Sequence, residues 1–167
     1  MPSQRFLIER MIAPIPHSYS GQIVELGPGT GALTLRLAAR CPNARILACE
    51  INSNLARHIR WTLASARLNG RVEVVLDAAE HLLAEPSRRG MKLPDFIISG
   101  IPLGNLRRQA VLALVEAISR ALAPGGMYIQ FQYSLLDRKK IKAKFSKLRS
   151  VPVLLNFPPA VVYYARK

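Results

Sequence analysis

Three glycines in five residues, Gly27-Pro28-Gly29-Thr30-Gly31, join an apolar run to a segment of helical periodicity, and this junction constrains the fold more than any other feature. Glycine accepts backbone conformations that side chains exclude and lets main-chain amides approach a ligand closely. A strand that feeds such a turn and then a helix is half of a βαβ unit. In open parallel sheets, ligands sit at the carboxyl ends of the strands, near the point where strand order reverses. A tight strand-to-helix turn that binds nothing is the plain alternative.

The rest of the chain repeats the alternation. Strands are predicted over residues 22–26, 45–49, 72–76, 95–99 and 127–133, with helices over 31–40, 55–68, 78–84 and 106–122 between them. Pro86 and Gly90 are read as the stop of the third of these helices, and Ala123-Pro124-Gly125-Gly126 as the stop of the fourth. A basic helix is predicted over 135–148. Two short strands follow over 151–155 and 161–165, separated by Pro158-Pro159 and close enough in sequence to be antiparallel. The pattern predicts an α/β, Rossmann-like architecture: a seven-stranded, mostly parallel sheet with one antiparallel strand and helices on both faces. It is read as a single domain over 1–167, with a short amino-terminal segment (1–20) and a core (21–167).

Half of the 167 residues are apolar, enough for one substantial core. No apolar stretch reaches the ~20 residues that a membrane-spanning helix needs. Glu9 and Arg10 interrupt the start before an export signal forms. Cys41 and Cys49 are expected to be buried thiols, in keeping with a reducing cytoplasm. His17, His58 and His81 are scattered without ligand spacing, so no metal is expected. The 24 basic residues against 10 acidic ones favour phosphate-bearing partners, either nucleic acid or an anionic membrane surface.

Around the glycine turn, two ligands compete. Gly27, Gly29 and Ala32 also satisfy the dinucleotide spacing G-x-G-x-x-A, with Glu50 near the ribose-binding distance. Glu25, two residues before the first glycine, is an unpaired carboxylate in a dinucleotide site but suits a ligand with a cationic methionine end. Glu50, just past the second strand, is suited to accept hydrogen bonds from both ribose hydroxyls.

The ordered set Val24-Glu25-Leu26-Gly27-Pro28-Gly29-Thr30-Gly31, Glu50, Asp77 and Leu122-Ala123-Pro124-Gly125-Gly126 resembles the motifs of class I methyltransferases. The resemblance implies S-adenosyl-L-methionine as cofactor, lined by Glu25, Gly27, Gly29 and Gly31, with Glu50 and Ile51 at its ribose, Asp77 and Ala78 at its adenine, and Ser99 nearby. It also puts the acceptor beside Ser99-Gly100-Ile101-Pro102-Leu103-Gly104-Asn105. Enzymes that methylate exocyclic amines of bases carry an aromatic in this loop to stack on the base, and Leu103 cannot stack.

The string Ser99-Gly100-Ile101-Pro102-Leu103 and the closing segment Asn156-Phe157-Pro158-Pro159-Ala160-Val161-Val162-Tyr163-Tyr164 are similar to bacterial phospholipid N-methyltransferases that modify phosphatidylethanolamine. That family carries a longer amino-terminal helix, whereas here residues 1–20 precede the first strand. Residues 5–12, with Phe6, Leu7, Met11 and Ile12, read either as its remnant or as an ordinary packing helix. The resemblance implies contact between the basic segment 138–149 and a phospholipid or anionic membrane surface; the other reading is a solvated outer face. Tyr19, Tyr133, Gly100 and Pro102 are the candidates to face the reactive methyl, with His17 beside them. Phospholipid N-methylation leads, RNA adenine N-methylation is the alternative, and a non-catalytic cofactor-binding membrane module is the third. The expected location is the cytoplasm, with peripheral attachment to the inner face of the membrane as an option.

Overall fold

The computed structural model describes residues 2–84, 92–156 and 158–167. Among these, seven strands form one sheet: β1 (Gln22–Leu26), β2 (Arg45–Glu50), β3 (Val72–Leu76), β4 (Phe96–Ser99), β5 (Met127–Gln132), β6 (Lys147–Val153) and β7 (Ala160–Arg166). Their order is β3-β2-β1-β4-β5-β7-β6. The first five are mutually parallel, and β7 inserts antiparallel between β5 and β6. This is the expected mostly parallel sheet with one antiparallel strand. Strand order reverses between β1 and β4, so the two loops leaving those strands part over a crevice.

Among the described residues six α-helices cover the sheet: α1 (Pro2–Ile12), α2 (Ala32–Arg40), α3 (Ser53–Ser65), α4 (Ala79–Ala84), α5 (Arg108–Ala121) and α6 (Arg138–Lys142). The central strands are apolar on both faces because a core lies on each side. Ile23, Ile46, Ile98 and Ile129 meet Leu7, Met11, Leu37 and Ile59 on one face. Val24, Leu47, Ile97 and Tyr128 meet Leu82, Val111, Val115 and Ile141 on the other. Cys41 and Cys49 are buried in different cores. Residues 5–12 thus belong to a packing helix, α1, whose Leu7, Met11 and Ile12 are buried.

The predicted helix over 135–148 is corrected. Only Arg138–Lys142 is α-helical, and Lys147–Val153 is an edge strand that pairs with β7. Ile141 and Phe145 do face the core as their spacing implied, but Leu148 reaches it from a strand. The strand expected over 151–155 ends at Val153, and Leu154 and Leu155 form the turn. α3 starts earlier than expected, because the Asn52 side chain accepts hydrogen bonds from the Asn54 and Leu55 amides. Pro86, Gly90 and Phe157 lie outside the described residues. No described helix is long and apolar enough to cross a membrane.

Candidate active site

β1 ends in a turn that only glycine accommodates: φ is +68° at Gly27, +59° at Gly29 and +84° at Gly31. The Gly27 amide donates to the Cys49 carbonyl at 2.9 Å, tying the turn to β2. Gly31 caps α2, and a Cβ there would face Ile59 rather than the crevice. From the other side, the Gly100 amide donates to the Leu26 carbonyl at 2.8 Å. A Cβ on Gly100 would stand 2.6 Å from the Gly27 carbonyl oxygen. The two loops are therefore packed backbone against backbone.

Between them and the ends of β2 and β3 lies a cavity of about 460 Å³. Of the residues singled out from sequence, Gly27, Gly29, Glu50, Ile51, Asp77, Ala78, Gly100 and Pro102 line it together. Glu50 forms its polar wall. Its Oε2 accepts from the Gly29 amide at 3.1 Å and its Oε1 from the Asn52 amide at 2.9 Å. A carboxylate has about four lone-pair sites, so each oxygen keeps capacity for a ligand hydroxyl. Asp77 is oriented by the Ala78 amide, 2.8 Å from its Oδ1, which also lies 2.9 Å from His81 Nδ1.

Glu25 lies outside the cavity wall, fully buried on β1. Neither carboxylate oxygen has a hydrogen-bond partner. Burial pushes its carboxyl up to about 7; the Thr34 hydroxyl opposes that rise and the Glu50 carboxylate adds to it. The Thr34 hydroxyl is itself buried and, although near enough to the carboxyl to oppose the rise, makes no hydrogen bond of normal geometry. Such groups are rare in folded proteins, because leaving a buried polar atom unsatisfied costs about 1–3 kcal/mol. A buried acid on β1, two residues before the glycine turn, suits a cationic ligand end, although it presents no surface to the cavity. It disfavours a pyrophosphate over the same turn.

Four more of the expected residues do not line the cavity. Tyr19 is at the other end of the sheet: its hydroxyl donates to Asp95 Oδ2 at 2.7 Å and lies 3.0 Å from the Gln22 carbonyl oxygen, both at the strands' amino ends. His17, two residues earlier, belongs to the same segment; chain entering a parallel strand arrives opposite the ligand edge. Tyr133 is at the carboxyl edge but exposed and outside the cavity wall. Ser99, expected to touch the cofactor, is buried, and its hydroxyl accepts from the Ile101 amide at 3.2 Å. It belongs to a support that sequence reading missed. The Tyr128 hydroxyl donates to Gln130 Oε1 at 2.6 Å, and Gln130 Nε2 donates to the Ile101 carbonyl at 2.9 Å. Polar residues inside apolar strands were the signal. Leu103 is buried in the core, and among the described residues none that lines the cavity is aromatic.

The strand order, the glycine turn and the acid ending β2 define a class I methyltransferase architecture. A family model described as a methyltransferase domain matches residues 23–126. An ornithine lipid N-methyltransferase from Singulisphaera acidiphila is 28% identical over 99% of this chain and 85% of its own length. Ribosomal RNA small subunit methyltransferase A from Xylella fastidiosa is 30% identical over 79% of this chain, which spans only 53% of that protein. Among solved structures, an O-methyltransferase from Bacillus cereus in complex with SAH superposes with a TM-score of 0.75 at 18% identity, covering 100% of this chain and 82% of that one. The chain belongs to the class I S-adenosylmethionine-dependent methyltransferases. Its cofactor is S-adenosylmethionine.

The residues present fit that cofactor: a side-chain-free turn, an acid with spare acceptor capacity, and a buried carboxyl without a partner. Glu50→Ala is expected to weaken binding of the demethylated cofactor by roughly 1–3 kcal/mol, about 5- to 150-fold, with folding preserved. Titration calorimetry on the folded variant checks this. An unchanged dissociation constant removes Glu50 from the site.

Proposed function

We propose that this enzyme N-methylates the amine of a membrane-lipid head group, with phosphatidylethanolamine and an ornithine lipid as candidate acceptors. The observation that carries the reading is the near end-to-end match to the ornithine lipid N-methyltransferase. Among the described residues the cavity wall carries no aromatic, which supports this reading over base methylation, where a flipped base is stacked. We assign the cofactor to Gly27, Gly29, Glu50, Ile51, Asp77 and Ala78, with Glu25 facing its ammonium end and Gly31 shaping the turn.

When bound, the cofactor supplies an electrophilic methyl group on a sulfonium. The chain's part is alignment and exclusion of water. Glu50 fixes the ribose, the turn holds the methionine end, and Gly100 to Pro102 form the wall where the acceptor enters. Only the neutral amine carries the attacking lone pair, so transfer is expected to speed up as pH rises towards the amine pKa.

Labelled methyl transfer is expected into vesicles holding an amine-bearing lipid and not into total RNA. Label in RNA alone would replace this reading by the RNA one. Label in neither, with tight cofactor binding, would favour a non-catalytic module. A peripheral place on the membrane's inner face goes with the lipid reading.

A further inference from the structure

Loops at the tips of sheets are ordinarily polar, yet two loops at the carboxyl edge of this sheet carry bare apolar side chains. The loop between β5 and α6 exposes Tyr133, Leu135 and Leu136, with Leu136 82% exposed. The turn between β6 and β7 exposes Leu154 (77%) and Leu155 (69%). The pairing register brings the two loops level. Gln132 and Pro152 both pair with Val161 on the intervening strand, so the chain leaves β5 and β6 at the same height. Two strand spacings, about 10 Å, separate the exits. Phe6 on α1, half exposed, borders the groove beside Leu154 and Leu155.

The same edge is where Gly27, Glu50 and Gly100 open the cavity, since β1, β2 and β4 run parallel to β5. β5 lies two strands from β1, again about 10 Å. The charge beside the leucines is positive. Arg138, Lys139 and Lys140 follow Leu136 directly, and the intervening Asp137 is buried and paired with Lys140. Two later basic residues of segment 138–149 serve other ends. Lys144 pairs with Glu116, and Lys147 stands opposite Arg166 at the amino edge of the sheet. The basic segment is thus split between the two edges of the sheet, and its first residues share an edge with the cavity.

We infer that Leu135, Leu136, Leu154 and Leu155 form a two-pronged docking surface for an anionic bilayer, which turns the cavity mouth towards the lipid head groups. The inference deepens the lipid reading and rests on it. Exposed apolar tips with adjacent cations are the arrangement that interfacial binding uses: apolar groups enter the acyl boundary while the cations stay at the phosphates.

The test is cosedimentation with vesicles of phosphatidylcholine and phosphatidylglycerol, which offer no amine to methylate, so docking is read apart from catalysis. The wild type is expected to bind, and more weakly as salt rises. A variant combining Leu135→Ser, Leu136→Ser, Leu154→Ser and Leu155→Ser is expected to bind at least about tenfold more weakly, with cofactor affinity and thermal melting retained. Lys139→Glu alone is expected to weaken binding at low salt by about fivefold or more. The inference is overturned if the wild type ignores these vesicles, or if the quadruple variant binds them like the wild type. It is equally overturned if light scattering shows that the leucines instead seal a dimer. Intact docking with no methyl transfer to any amine lipid would defeat the acceptor reading alone.

Discussion

Gly100→Ala is expected to cut methyl transfer by about 100-fold or more and to lower stability by roughly 1–3 kcal/mol. The new methyl group would stand 2.6 Å from the Gly27 carbonyl oxygen, and backbone, unlike the end of a long side chain, has nowhere to swing. The loops after β1 and β4 must part, which moves one wall of the cavity relative to Glu50 and lengthens the Gly100 to Leu26 hydrogen bond. Gly70→Ala is the control: a Cβ there meets nothing within 4 Å, so activity should be unchanged and stability should move by only about 1 kcal/mol or less. Steady-state kinetics and urea unfolding of both variants check the pair. Wild-type kinetics for Gly100→Ala would mean that the contact between the loops is dispensable.

The Glu25→Gln substitution is expected to act in opposite directions on the empty and the loaded protein. With its carboxyl raised from an ordinary 4.5 to about 7, chiefly by burial, Glu25 keeps its proton in the folded state where the unfolded chain has released it. The folded state then binds more protons than the unfolded state between those values. Stability therefore falls as pH rises from about 4.5 to about 7, by about 3 kcal/mol in total, and is level above. Glutamine removes that slope, so the variant is expected to gain on the wild type at pH 8 and not at pH 4. Urea unfolding at the two pH values measures it. The same variant should bind the cofactor about tenfold more weakly or worse, because a neutral amide cannot pair with its ammonium. In the wild type, pairing lowers the carboxyl's pKa, so binding near pH 7 should expel part of a proton. Calorimetry in buffers of different ionisation enthalpy reads this directly. A buffer-independent heat would separate Glu25 from the ligand.

The parts legible in the sequence were those where a single residue type answers a single physical need. The glycine turn, the acid ending β2 and the apolar central strands each follow that rule. Segment 135–148 did not, because two explanations share its spacing. Ile141, Phe145 and Leu148 at intervals of four and three read as one helical face, yet Leu148, Ser150 and Pro152 alternate with Lys147, Arg149 and Val151 along β6. Lysine, arginine and proline mask the strand signal because this is an edge strand, where such residues discourage pairing with other chains. α3 ran short for a related reason. Its end is turned by Arg67 at φ +57°, a position where sequence reading looks for glycine or asparagine. The support beneath Ile101, from Tyr128, Gln130 and Ser99, was signalled only as polar residues inside apolar strands, because side chains reveal their partners only once the strands are ordered.

The placement of β7 bears on how this protein reaches its native state during synthesis. β7 follows the other six strands in the chain yet sits inside the sheet, between β5 and β6. Its Tyr164 hydroxyl donates to the Arg10 carbonyl, 154 residues away. The cofactor crevice, built from β1, β2, β3 and β4, emerges from the ribosome early and can assemble from neighbouring segments. The apolar side of α1 has to wait for β7 before it is fully covered. Contacts at such separation are slow to close, so docking of α1 against β7 is expected late in folding. Nascent chains stalled before residue 160 would present Leu7, Met11 and Ile12 to chaperones, while the crevice is already taking shape.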